Sequence, residues 1–172
     1  DPILFIHGNP TSSYIWRNII PHVSHFGRAI AVDLIGMGQS DKPDIEYGFT
    51  DSYAYLEAFI DALALENITL VIQDWGSGLG FHYANRHRKN VKAIVFMEAM
   101  FTRLDYQALN LGEKIGLNLM QSRLGSLLMF GVANSFVNSM LPQWTHRALT
   151  DEEMAHYRAP FPTLKSQKAM QV

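Results

Sequence analysis

The stretch Leu-Val-Ile-Gln-Asp-Trp-Gly-Ser-Gly, Leu70 to Gly78, decides how this chain is read. A short apolar run rich in β-branched residues leads straight into Asp74, and a helical stretch from Gly76 to Arg86 follows at once. Strand, sharp turn and helix in that order form an elbow that presents one side chain at the top of a sheet. Such elbows commonly carry Ser within G-x-S-x-G; here the tip is a carboxylate. A carboxylate attacks saturated carbon and leaves an ester that water can later cleave, whereas a serine would point to acyl transfer. The residue type at position 74 therefore selects displacement at an sp3 carbon.

Outward from the elbow, strands alternate with helices. Ile3 to Ile6 reads as a short buried strand, and Arg28 to Leu34 as a second. Ile68 to Gln73 is the third and Val91 to Met97 the fourth. Thr11 to Ser13 offer N-cap hydroxyls for a helix over Tyr14 to Val23. Thr50 or Asp51 is expected to cap a helix reaching Leu63, with Tyr55, Phe59, Ile60 and Leu63 at helical spacing. Gly36 to Pro43 is a loop. The strands are apolar throughout instead of alternating, which predicts an α/β fold with a parallel sheet covered on both faces.

After Glu98 the pattern changes. Leu104 to Leu119, Leu127 to Asn138 and Thr150 to Arg158 read as helices, the last opening with the capping-box pattern Thr150-Asp151-Glu152-Glu153. The expected organisation is a core over residues 1–100 and a helical cap over 101–172. The chain opens on Asp1-Pro2 directly before a strand and closes on Lys-Ala-Met-Gln-Val, so it is expected to be a piece of a longer protein. The C-terminal core strands would then be absent.

Bulk properties narrow the function classes. The formal net charge is −2 and no basic stripe occurs, which argues against nucleic acid as a partner. No cysteine is present, so disulfides and cysteine–zinc sites are excluded. The apolar runs are too short to cross a bilayer. No metal or other cofactor is expected.

In parallel α/β sheets ligands bind beyond the carboxyl ends of the strands. Asn9, Asp74 and Glu98 all fall at such ends. Each has a plain alternative: Glu98 as a solvated loop residue, Asn9 as half of an Asn-Pro turn, Trp75 as packing. Taken together they form a coherent site. Asp74 is the expected nucleophile, and Glu98 would orient a histidine base. The indole N–H of Trp75 and the side-chain amide of Asn9 are neutral donors suited to a departing anion. The backbone N–H groups of Asn9 and Trp75 would form an oxyanion hole.

At these residues a resemblance becomes close. HGNPTSSYIWRNIIPH (His7–His22), DLIGMGQSDKP (Asp33–Pro43), QDWGS (Gln73–Ser77) and FMEAM (Phe96–Met100) resemble the haloalkane dehalogenases of the α/β-hydrolase fold. FVNSMLP (Phe136–Pro142) and EEMAHYRAPF (Glu152–Phe161) extend the likeness into the cap. The resemblance implies an α/β-hydrolase-type parallel sheet with a helical cap. It implies cleavage of carbon–halogen bonds through an Asp alkyl ester, with a small halogenated alkane and water as reactants. Asp74 matches the nucleophile, Glu98 the catalytic acid, and Asn9 with Trp75 the halide-binding pair. Phe136 matches an aromatic lining the substrate cavity. A monomeric, cytoplasmic protein is expected.

One departure stands out. The order of such triads is nucleophile, acid, histidine, so the base must follow Glu98. Only His146 and His156 do, both within the cap, and neither fits. The base is expected outside this chain, which by itself should be inactive. His7 reads as structural; His22, His25, His82 and His87 read as surface or packing residues. Three alternatives remain. Epoxide hydrolases share the Asp nucleophile but carry an apolar or aromatic residue where Asn9 stands and use cap tyrosines. Coelenterazine-using luciferases share HGN, DWG and the Glu. A non-catalytic fragment that binds small apolar molecules is the third.

Overall fold

A computed structural model of the chain describes residues 1–100, 106–122, 125 and 134–171. Four strands, β1 (Pro2–Ile6), β2 (Arg28–Val32), β3 (Ile68–Asp74) and β4 (Val91–Ala99), form one sheet in the order β2-β1-β3-β4. Every pairing is parallel; Leu4 lies opposite Ile30 on one side and Leu70 on the other. The chain steps from β1 outward to β2, then returns past β1 to lay down β3 and β4. The strand order therefore reverses between β1 and β3, and a crevice opens at their carboxyl ends where ligands of such sheets bind.

The apolar strands bury both faces at the centre of the sheet. Leu4, Ile6, Leu70 and Ile72 point to one side and pack with Leu56, Ile60, Leu79 and Tyr83. Those partners come from α2 (Phe49–Ala62) and α3 (Trp75–Arg86). Phe5 and Val71 point to the other side and pack with Trp16, whose ring lies 5.4 Å from that of Phe5. Each fully buried side chain of this size contributes about 1.5–3 kcal/mol relative to exposure.

Coverage of both faces holds for β1 and β3 but not for β4. Val95, Phe96 and Met97 are all exposed. Among the described residues strand β4 has a strand neighbour on one side only, β3, and Phe96 meets Phe81 of α3 at 5.7 Å.

Two helix expectations need correction. Tyr14 to Val23 is not one helix; a 3-10 turn over Ser13–Trp16 and a short α1 (Ile20–Val23) take its place. Ser12 caps the turn through Tyr14 N–H, and Pro21 lacks the N–H that would continue a helix from Trp16. Helix α2 begins two to three residues earlier than expected, with Gly48 as its N-cap in place of Thr50 or Asp51.

Beyond the sheet, a 3-10 turn (Tyr106–Ala108) and α4 (Leu111–Gln121) stand where a helix over Leu104 to Leu119 was expected. Positions 104 and 105 lie outside the described residues. The same is true of positions 127–133 of the helix expected over Leu127 to Asn138; its end is a π-helical turn, Phe136–Met140, continuing into Leu141–Gln143. The last expected helix is present as Asp151–Arg158, with both halves of the capping box made by Thr150 and Glu153. That helix is tied to the core. Glu153 accepts from Arg17 and Arg147, and His156 stacks on Tyr14 with ring centroids 4.2 Å apart. Ala169 and Met170 are buried in the main core cluster. No helix among the described residues is long and apolar enough to cross a membrane.

Candidate active site

Asp74 is at once the last residue of β3 and the N-cap of α3, with φ 49° and ψ −126°. A non-glycine residue in this region costs on the order of 1–3 kcal/mol and persists only where its surroundings enforce it. Three neighbours enforce it here. Ser77 Oγ donates to the Asp74 carbonyl at 2.5 Å. Gly76 passes so close to β1 that a Cβ there would stand 2.4 Å from the His7 carbonyl oxygen. Gly8 leaves room for the carboxylate itself; a Cβ on it would meet Asp74 Oδ1 at 2.2 Å. An Asp at an N-cap ordinarily accepts from the first turn of its own helix. Asp74 does not; its Oδ1 accepts from the Asn9 backbone N–H at 2.8 Å, across the β1–β3 crevice.

Glu98 arrives by a different device. Gln73 pairs with Met97 and Asp74 with Ala99, so Glu98 is an extra residue in β4 between them, with φ 47°. A bulge of this kind re-aims a side chain and is common beside active sites. The Glu98 carboxylate accepts from Gln73 Nε2 at 3.1 Å. Ser77 joins the two strand ends, because its Oγ also accepts from Met100 N–H at 2.8 Å.

These groups share one cavity of about 430 Å³. Asn9, Gln73, Asp74 and Glu98 line it from the strand ends, and Leu141 and Trp144 from the helical segment that follows the sheet. Asn9 also borders a small adjoining space with Trp75. The Asn9 amide donates one N–H to the Met170 carbonyl at 3.1 Å, which leaves its second N–H for a ligand. Among the described residues the Trp75 indole N–H has no hydrogen-bond partner, and the ring meets Phe49 edge-on at 6.1 Å. Phe136 is buried and meets Trp144 edge-on at 5.5 Å, and Trp144 is among the residues that line the cavity.

Of the histidines, His7 is fully buried directly under the site. Its Nε2 accepts from Leu34 N–H at 3.0 Å and its Nδ1 lies 2.8 Å from the Gly8 carbonyl, a pairing that fits the neutral ring protonated on Nδ1. Burial pushes its pKa below the ordinary histidine value, against the opposing pull of the Gly8 carbonyl and of Asp33 and Asp74. His7 thus fixes the loop that carries Gly8 and Asn9. His146 and His156 are both exposed, and neither lines the cavity. A larger hollow of about 540 Å³ lies between β2 and α2. Its one carboxylate, Asp33, is already engaged by the N–H groups of Ser13 and Gln39 at 2.6 and 2.8 Å.

An Asp-tipped elbow on a four-stranded parallel sheet, with backbone N–H aimed at the carboxylate from the end of β1, agrees with the match of residues 1–126 to the alpha/beta hydrolase fold family. The chain belongs to the α/β-hydrolase fold family. Within that fold its similarity is to haloalkane dehalogenases. It is 50% identical over 169 residues to a haloalkane dehalogenase of Mesorhizobium japonicum, an alignment covering 96% of this chain and 54% of the relative. A haloalkane dehalogenase of Sphingobium indicum is 45% identical, covering 94% and 56%. Among solved structures, haloalkane dehalogenase DbeA from Bradyrhizobium elkani superposes with a TM-score of 0.92 at 44% identity, over 98% of this chain and 59% of that one. The chain therefore spans a little over half the length of the relatives it matches.

Sequence reading placed Asn9, Asp74, Glu98 and Trp75 at this end of the sheet. It missed Gln73, Gly8 and Ser77. No pattern in the sequence marks the Glu98 bulge, and without the bulge the reach of Gln73 to Glu98 is invisible.

Proposed function

We propose that the native protein hydrolyses haloalkanes, small chlorinated or brominated alkanes above all, to alcohol, halide and a proton. The observation that carries this reading is the Asp74 carboxylate, turned away from its own helix and held by Asn9 N–H inside a cavity it shares with Glu98. Oδ1 is engaged by that N–H, so Oδ2 is the oxygen free to attack. It displaces halide from the sp3 carbon, and the halide leaves with the bonding pair. The product is an alkyl ester whose carbonyl oxygen is Oδ1. Water then attacks the ester carbonyl carbon, and charge develops on the atom that Asn9 N–H already contacts. Alcohol departs and the carboxylate is regenerated.

Trp75 and Asn9 supply neutral N–H donors for the departing halide. Glu98 holds a histidine that takes the proton from water. That base is not one of the described residues at the cavity. No cofactor is needed, because every step is a displacement or a proton transfer. Asp74→Asn tests the reading: mass analysis of the peptide containing position 74 should show no alkyl adduct, and no halide should be released. Full turnover by the variant, without deamidation of the new Asn, would overturn it.

A further inference from the structure

We infer that Gln73 is a positioning residue for Glu98, present for the ester-hydrolysis step and not for the stability of the fold. The inference rests on the reading of Glu98 as the acid that holds the base. Glu98 projects from a bulge with φ 47° and is exposed, so the backbone alone leaves its side chain free to rotate. Among the described residues, Gln73 Nε2, at 3.1 Å from Oε2, is its hydrogen-bond partner. A carboxylate accepts only, so the amide must present its NH2 end there. That choice fixes the other end. Gln73 Oε1 is buried with no hydrogen-bond partner among the described residues.

A buried acceptor left unpaired is a cost to folding, so among the described residues the Oε1 end of Gln73 adds no stability. What its amide does contribute there is the N–H toward Glu98. The amide occupies Oε2 and leaves Oε1 to accept an imidazole N–H. It also carries no charge. A lysine or arginine at the same place would neutralise the carboxylate whose charge must stabilise an imidazolium. Gln73 borders the same cavity as Asp74 and Glu98, so the hydrogen bond is made at the site itself.

Stability and hydrolysis should therefore separate in Gln73→Met, which keeps the length of the side chain and removes both polar ends. The test is made in the native protein as expressed from its own gene, with 1-bromobutane or 1-chlorobutane as probe. Rapid-quench mass analysis follows formation and loss of the adduct on Asp74. The expected result is alkylation within about twofold of the wild type and adduct hydrolysis at least about tenfold slower, the scale of one hydrogen bond to a charged group. The melting temperature should be unchanged or higher. In a Glu98→Gln background, Gln73→Met should add no further slowing, because both changes act through one contact.

Unchanged hydrolysis in Gln73→Met, while Glu98→Gln accumulates adduct, would overturn the inference alone. Equal slowing of alkylation and hydrolysis, or a lowered melting temperature that accounts for the loss, would also overturn it. Glu98→Gln clearing its adduct at the wild-type rate would overturn the assignment of Glu98, and the inference with it.

Discussion

Replacing Gly8 by Ala should disable the nucleophile without touching it. A Cβ at position 8 would stand 2.2 Å from Asp74 Oδ1, 2.4 Å from Asp74 Cβ and 2.7 Å from Cγ. Nonbonded carbon atoms rest at about 3.5–4.0 Å, so the Asp74 side chain would have to withdraw by about 1 Å or more. It cannot do so freely. Its backbone is held at φ 49°, with its carbonyl bonded to Ser77 Oγ at 2.5 Å. A withdrawal of that size breaks the 2.8 Å hydrogen bond from Asn9 N–H to Oδ1. Misplacement of a reacting group by about 1 Å costs on the order of 100-fold in rate. Loss of one donor to the developing oxyanion costs on the order of 100- to 1,000-fold more in the hydrolysis step. Overpacking should cost about 1–3 kcal/mol of stability besides. Single-turnover alkylation in the native protein, followed by rapid quench, measures the first effect. Gly116→Ala is the control: among the described residues nothing lies within 4 Å of a Cβ there, and its place inside α4 makes Ala favourable by about 1 kcal/mol. A folded Gly8→Ala protein that alkylates at the wild-type rate would refute the view that this close approach sets the nucleophile.

Two further outcomes follow from the fold. Thr150→Ala removes the side-chain half of the cap on Asp151–Arg158, the bond from Glu153 N–H to Thr150 Oγ1 at 3.2 Å. It should lower stability by about 1 kcal/mol, or roughly 2–4 °C in Tm for a chain of this size; an unchanged Tm would show that the ion pairs of Glu153 hold the helix without the cap. Buried His7 resists protonation, so as pH falls below about 6.5 the unfolded chain takes up a proton that the folded one does not. Its contribution to stability is complete above that pH and is lost on acidification, so urea midpoints should fall between pH 6.5 and 5, before carboxylates such as Glu153 titrate; flat midpoints in that window would refute a buried neutral His7.

The sequence by itself determined the kind of sheet and the order of its elements, and it singled out Asp74 at the junction of β3 and α3. Those follow from local rules. Apolar runs longer than alternation allows mark buried parallel strands, and a strand that runs directly into a helix exposes whatever residue stands at the junction, here Asp74. The capping box at Thr150 and Glu153 was legible for the same reason, because both partners lie within one turn. What only the tertiary structure decided depends on register and distance between segments far apart in the chain. Gly8 and Asp74 touch because β1 and β3 are neighbours in register, Ile6 opposite Ile72. The Glu98 bulge exists only relative to β3, whose pairing skips one residue of β4. The edge-on contact of Phe136 with Trp144, which lines the cavity, is set by how the segment after the sheet packs. Side-chain alternation is a property of one strand. A bulge, a steric gap or a shared carboxylate is a property of two, and no reading of either segment alone contains it.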